Sequence, residues 1–229
     1  MTETVKRWEA TLSRIKDAAL QAGRDPQSIK LIAVSKKHPL AVIEELYHAG
    51  QRDFGENYVQ ELVSKAEGAQ KLGLSEIRWH FIGHLQRNKV KPLLPWVYRI
   101  HSVDSSALVT QIAKRWQELH RPFALPILIE VNVSGEESKS GVSPSLLLDL
   151  AESVKTHVDA LDLKGLMCIP SSEQTRALSA FETLASLGAS LKLEPSQLEL
   201  SMGMSGDFEK AIEAGATWIR VGTAIFGAR

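Results

Sequence analysis

A lysine set directly after an apolar run, and an arginine just before a glycine and a hydroxyl, are the positions in this sequence best suited to chemistry. Lys36 follows Leu31-Ile32-Ala33-Val34-Ser35, and the last strand-like run ends Ile219-Arg220-Val221-Gly222-Thr223. Runs of β-branched and aliphatic residues bounded by polar ones read as buried strands, which puts Lys36 and Gly222 at carboxyl ends. In parallel α/β folds, sites are built there. Burial desolvates an ammonium and lowers its pKa, which makes a lysine nucleophilic toward carbonyls near neutral pH. The competing reading of Lys36, next to Lys37, is a solvated strand end. A second cluster, Ser201-Met202-Gly203-Met204-Ser205-Gly206-Asp207, follows Leu198-Glu199-Leu200. Glycine lets a backbone approach an anion, and free amides and hydroxyls donate to it. The same residues can also make a tight turn with Ser205 as a helix cap.

The elements that must position these residues alternate along the chain. A first helix over roughly residues 3–22 is ended by Gly23, and strands are expected near 29–35, 52–54, 77–82, 97–102, 125–133, 161–168, 197–201 and 217–222. Helical patterns such as Ala41-Val42-Ile43-Glu44-Glu45-Leu46-Tyr47 and Leu146-Leu147-Leu148-Asp149-Leu150-Ala151 lie between them, opened by Pro39 and Ser143-Pro144. Each crossover between parallel strands needs a helix, so the alternation predicts an α/β fold: a closed TIM-type (β/α)8 barrel with an additional N-terminal helix. Residues 1–229 are expected to form a single domain. Counting in steps of two from Lys36 turns Val34 and Ile32 inward and Ser35, Ala33 and Leu31 toward the helices, with Lys37 pointing away. The same count places Arg220 and Gly222 on one face and Ile219 and Val221 on the other. Ser201 ends the seventh strand, and barrels often bind phosphate on the loops after strands seven and eight.

Bulk composition narrows the function. With 229 residues, 44% of them apolar, the chain can bury one sizeable core. Twenty-seven basic side chains offset twenty-seven acidic ones, leaving no net field to attract nucleic acid or an anionic membrane. A small ligand is the better expectation. The single Cys168 excludes an intramolecular disulfide and a thiolate metal cluster, as expected in a reducing compartment. The first residues carry acid and base before an amphipathic helix, without an apolar signal core, and no window approaches a membrane span. A cytoplasmic location is expected.

At this point a resemblance enters. Ala33-Val34-Ser35-Lys36, Phe54-Gly55-Glu56-Asn57-Tyr58-Val59-Gln60-Glu61, Trp79-His80-Phe81-Ile82-Gly83-His84-Leu85-Gln86, Gly165-Leu166-Met167, Ser201-Met202-Gly203-Met204-Ser205 and Arg220-Val221-Gly222-Thr223-Ala224-Ile225-Phe226-Gly227 occur in order along nearly the whole chain. Together they closely resemble the pyridoxal phosphate homeostasis proteins. The resemblance implies a fold-type III barrel like the amino-terminal domain of alanine racemase, with pyridoxal 5′-phosphate (PLP) at its mouth. It implies a covalent aldimine on Lys36, a phosphate held by Ser201, Gly222 and Thr223, and Arg220 facing the pyridine nitrogen. Asn57 is placed beside the cofactor, and Met204 and Ser205 are counted with the cofactor-binding residues. An arginine there keeps the ring nitrogen unprotonated and weakens the cofactor as an electron sink. Racemases of this fold set a tyrosine, from a carboxyl-terminal β domain of another subunit, opposite the lysine. This sequence ends at Arg229, six residues after Thr223, and no such domain is expected. The implied role is to hold, buffer or deliver PLP in vitamin B6 and amino-acid homeostasis, as a monomer, with PLP-dependent apoenzymes as recipients. A weak racemase-like enzyme and a Schiff-base aldolase are the alternatives.

Other candidates carry less. Among the tyrosines only Tyr58 approaches the mouth, and packing on its own helix is the competing role. His80 and His84 are joined by a strand-to-loop path that keeps them from forming a zinc pair. Glu56, Asp104 and Glu130 have no spacing that fixes a catalytic carboxylate pair, so salt bridging or capping is expected. Cys168 reads as a small core residue, and Lys139 as either a carboxylate contact at the rim or a solvated loop lysine.

Overall fold

The computed structural model describes residues 1–136, 139–170, 174–194 and 196–227. Eight parallel strands close a barrel in chain order, β1 pairing with both β2 and β8. They are β1 (Lys30–Val34), β2 (Asp53–Glu56), β3 (Arg78–Phe81), β4 (Arg99–Val103), β5 (Leu125–Glu130), β6 (Leu161–Met167), β7 (Glu199–Ser201) and β8 (Trp218–Val221). The helices joining them include α2 (Leu40–Ala49), α3 (Val59–Lys71), α5 (Ser106–Gln117), α6 (Leu147–Lys155), α7 (Gln174–Ser190) and α8 (Phe208–Glu213), with short α4 (Val90–Leu93) before β4 and α9 (Thr223–Phe226) after β8. The leading helix, α1 (Glu3–Gln21), packs on α2, α8 and α9. Its Trp8 indole donates to Gln51 Oε1 at 2.9 Å, and the Gln51 amide donates in turn to the carbonyls of Leu31 and Asp53. Each expected strand is present. The fifth ends earlier than expected, because past Glu130 only Val131 bridges to Val142 and Asn132 folds its side chain back onto the loop at Gly135. No helix among the described residues is long and apolar enough to cross a membrane.

The inward and outward faces differ in kind. Leu31, Ala33, Phe54, Trp79, Ile219 and Val221 join the large core between barrel and helices, whereas Ile32, Val34, Ile82 and Trp218 form a small apolar cluster inside. At roughly 1.5–3 kcal/mol for each fully buried large apolar side chain, the outer layer carries most of the stability. That frees the interior for polar residues. At its amino-terminal end, Glu199 pairs with Arg99 and lies 3.7 Å from Lys30, and both cations sit over the Trp218 ring, at 5.1 and 4.8 Å from its centroid. Charge and aromatic surface thus close one end, and the strands' carboxyl ends open at the other.

One irregularity has a local cause. The β5–β6 register slips between Ile127 and Leu128, whose partners are Leu163 and Gly165. Gly165 adopts φ +152°, and a Cβ there would lie 1.9 Å from the Glu199 carbonyl oxygen. A side chain is therefore excluded by conformation and by the adjacent strand. Gly165→Ala is expected to destabilise the fold by well over 1 kcal/mol, the scale of an alanine forced to positive φ without a clash; denaturant unfolding checks this.

Candidate functional site

The carboxyl-terminal mouth holds a cavity of about 430 Å³ lined by Val34, Lys36, His38, Asn57, Ile82, Ile169, Met204, Ser205, Gly206, Arg220, Gly222 and Thr223. The ends of the first and last strands meet here because β8 pairs with β1. Of the residues singled out in the sequence, Lys36, Asn57, Met204, Ser205, Arg220, Gly222 and Thr223 share this cavity, and Ser201 does not. Gly206 belongs to the loop read as an anion site, whereas His38, Ile82 and Ile169 were not anticipated. Ile82 continues the inward alternation of β3 and His38 that of β1, so both were accessible to the same count; Ile169 follows no periodic signal.

Lys36 stands on a clamped turn. The Ser35 hydroxyl donates to Glu56 Oε1 at 2.7 Å, Lys65 Nζ donates to the Ser35 carbonyl at 2.7 Å, and the Lys37 amide donates to Glu61 Oε1. Lys65 also bonds both carboxylates, each at 2.7 Å. Lys37 takes the left-handed φ of 63°, which swings its side chain away from its neighbour's direction. Burial raises the Glu56 carboxyl, opposed by Lys65 and Ser35. The cluster lies between the barrel and α3, so it fixes the turn from behind and leaves the cavity to Lys36.

Arg220 is held by a chain of buried polar groups through the barrel. Its Nη1 donates to Ser201 Oγ at 2.8 Å and its Nη2 to the Cys168 carbonyl at 2.9 Å. Below it, Ser201 Oγ lies 2.9 Å from His101 Nδ1, His101 Nε2 lies 2.9 Å from His80 Nδ1, and His80 Nε2 lies 2.9 Å from Asp53 Oδ1. Desolvation lowers both histidine pKa values, that of His101 well below its ordinary range. Although burial alone would raise it, Asp53 is held down at about 2 by hydrogen bonds from Arg78 and His80. Two neutral imidazoles against a carboxylate admit one proton order: His80 donates to Asp53, His101 to His80, Ser201 to His101 and Arg220 to Ser201. The Ser201 hydroxyl, fully buried, has thereby spent its proton on His101. It supports Arg220 from below and does not reach an anion in the cavity.

The opposite rim is a polar cradle. The first amides of a helix have no partner within it, and in α9 that of Ala224 donates to Ser205 Oγ at 3.3 Å. Asp207 ties down the other loop by accepting from the Met204 amide at 2.6 Å. Between cradle and lysine, the Asn57 Oδ1 atom is buried without a hydrogen-bond partner. An orphaned acceptor on the wall, a guanidinium at the base and hydroxyls with helix-start amides at the rim fit a polar ligand bearing a phosphate, as PLP does.

The remaining candidates resolve individually. Tyr58 is 52% exposed at the start of α3 and does not line the cavity. His84 pairs with Asp104 at 3.3 Å while His80 is buried in the barrel, and the described residues contain no grouping suited to a metal. Cys168 is buried, its thiol pushed up to about 12 by desolvation. Lys139 donates to the Pro170 carbonyl at 2.8 Å. Glu56 and Asp104 are paired as expected, but Glu130 is not: it is 4% exposed and makes no side-chain hydrogen bond or ion pair among the described residues.

Known proteins resemble this chain along nearly its whole length. Residues 8–229 match the family model described as alanine racemase, N-terminal domain. A pyridoxal phosphate homeostasis protein of Pseudomonas aeruginosa is 48% identical over 222 residues, covering 95% of this chain and 92% of its own length. One from Escherichia coli K12 is 43% identical, covering 94% and 92%. The structure of PipY of Synechococcus elongatus with PLP bound superposes with a TM-score of 0.79 at 34% identity, covering 98% of this chain and all of that one.

Desolvation, with Asp104 adding to it and the Arg220 charge opposing, raises the Glu130 carboxyl from 4.5 to about 7. Below pH 4.5 the folded and unfolded chains both carry the proton, so no penalty arises. Between pH 4.5 and 7 the unfolded chain loses it first, and stability falls as pH rises; above 7 the cost is complete, roughly 2 to 4 kcal/mol. Glu130→Gln should therefore raise the thermal midpoint at pH 8 and leave it nearly unchanged at pH 4.5, measured by scanning calorimetry.

Proposed function

We propose a role for this chain from two premises: it belongs to the pyridoxal phosphate homeostasis protein family, and its barrel mouth sets a lysine and a phosphate cradle on either side of a buried arginine. It binds PLP and holds it for delivery, without substantial turnover of its own. When bound, PLP supplies an aldehyde that condenses reversibly with the Lys36 amine, releasing water, and a ring that can act as an electron sink. The chain's residues divide the remaining work. Ser205, Thr223 and the amides around Gly222 hold the phosphate, Asn57 supplies an acceptor on the wall, and Met204 packs beside them. Ser201 acts through Arg220, which it fixes in place.

The observation that carries the carrier reading is the Arg220 guanidinium, held against the cavity by Ser201 and the Cys168 carbonyl. A permanently charged donor facing the ring nitrogen of bound PLP would keep that nitrogen unprotonated, which would make the ring a poor sink for charge. Proton transfer by a positioned second group is worth about 10² to 10⁴-fold, and Tyr58 stands outside the cavity. The chain works as a monomer in the cytoplasm, with PLP-dependent apoenzymes as recipients.

The central test loads the purified chain with PLP, reduces it with borohydride and maps the labelled peptide. The label is expected on Lys36 and absent from Lys36→Ala, and α-proton exchange from amino acids into deuterated solvent is expected to stay near background. Label on Lys37, or rapid Lys36-dependent exchange, defeats the reading.

A second outcome concerns the cradle. Ser205→Ala and Thr223→Val should weaken PLP more than pyridoxal, which lacks the phosphate, by roughly 1.5–3 kcal/mol per hydrogen bond lost. Spectroscopic titration with both ligands measures the difference.

A further inference from the structure

A second chamber, about 220 Å³ in volume, adjoins the main cavity and shares Asn57, Ile82 and Ile169 with it. Its remaining walls are Gly83, His84, Glu130, Lys139 and Ser140. Glu130 ends β5 on the strand's inward face, opposite in sense to Ile127 and Ile129, which pack into the outer core. The two other buried carboxylates named in the barrel have bonded partners, Asp53 in Arg78 and His80 and Glu56, through Oε1 only, in Lys65 and Ser35, while Glu56 Oε2 is buried without one. Glu130 differs in having neither oxygen bonded. It is 4% exposed, lines the chamber, and its carboxyl makes no hydrogen bond or close salt bridge among the described residues, the Arg220 charge attracting it only from beyond contact. A desolvated carboxyl without a donor is costly, and such groups commonly mark a place where a ligand supplies the partner.

The chamber also has an opposite pole. Lys139 lies at its rim, with one proton on the Pro170 carbonyl and Glu136 at 3.6 Å, and an ammonium has three protons to give. His84, on the same wall, is paired with Asp104 at 3.3 Å. An anionic inner wall and a cationic rim, separated by a volume smaller than drug-sized pockets, suit a compact zwitterion. We propose that this chamber is a subsite for a small α-amino acid, its ammonium on Glu130 and its carboxylate at Lys139. The inference rests on the reading of the adjoining cavity as a PLP site, and gives the cofactor a neighbour that senses amino-acid supply.

The test uses the full chain in two states. L-alanine, ethylamine and propionate are titrated in turn, by calorimetry against the chain without PLP and by cofactor absorbance against the loaded chain. Alanine is expected to bind in both states, and each single-charge probe at least tenfold more weakly. Glu130→Gln, which keeps the side chain's shape, should weaken alanine tenfold or more while PLP loads as in the parent. Lys139→Met, at the rim, should weaken alanine and propionate and spare ethylamine. Alanine failing to bind the parent, or binding Glu130→Gln as tightly, overturns the proposal, as does ethylamine binding as well as alanine. Failure of the parent to take up PLP defeats the functional reading instead, and the calorimetry on the unloaded chain still decides the subsite.

Discussion

Burying the Arg220 guanidinium without a salt bridge is the constraint around which the barrel interior is organised. An arginine cannot shed its charge as a buried lysine can, so every acceptor it needs must come from the protein. The Cys168 carbonyl provides one and the Ser201 hydroxyl the other. Ser201 is a dependable acceptor only while its own proton is committed elsewhere, which requires His101 Nδ1 to be bare. That tautomer depends on His80, and His80 depends on the Asp53 carboxylate, which Arg78 holds ionised. A side chain on the barrel's far end therefore sets the direction of a hydrogen bond beneath the mouth.

The lysine is handled by the opposite strategy. Its side chain lines the cavity, and the protein restrains the backbone on either side through Glu56, Glu61 and Lys65. A group that must keep one orientation gains from being bonded at its tip, as Arg220 is. The two solutions use different surfaces of the sheet: the lysine's clamp sits between barrel and helices, and the arginine's chain runs inside.

The strands and their faces were legible because apolar periodicity reports burial one strand at a time. That sufficed to turn Lys36 and Arg220 to the same side as Ile32 and Val34. It could not show what the interior does with polar residues. His80 and His101 are separated by a whole helical crossover, and Ser201 by a hundred residues more, so only the closed barrel brings their ring nitrogens and hydroxyl into line. Ser201 was correctly placed at a strand end, yet the side from which its neighbours reach it decides whether its hydroxyl meets the cavity or Arg220. Glu130 escaped for a related reason: a carboxylate's ordinary fate is an ion pair, and only packing reveals that none is offered.

The pairing of β8 with β1 has a consequence in time as well as space. Lys36 follows the first strand to be synthesised, and Arg220 lies on the last with Gly222 and Thr223 just past it, so the mouth is assembled from contacts of very high sequence separation. Such closures are slow, since most of the chain's conformational entropy is lost before they form. On the ribosome, the early strands can collapse with their helices while the emerging chain still lacks its eighth staff. During that interval the cavity lacks the wall that the last strand brings, so occupation of the cavity reports completion of the barrel rather than helping to start it.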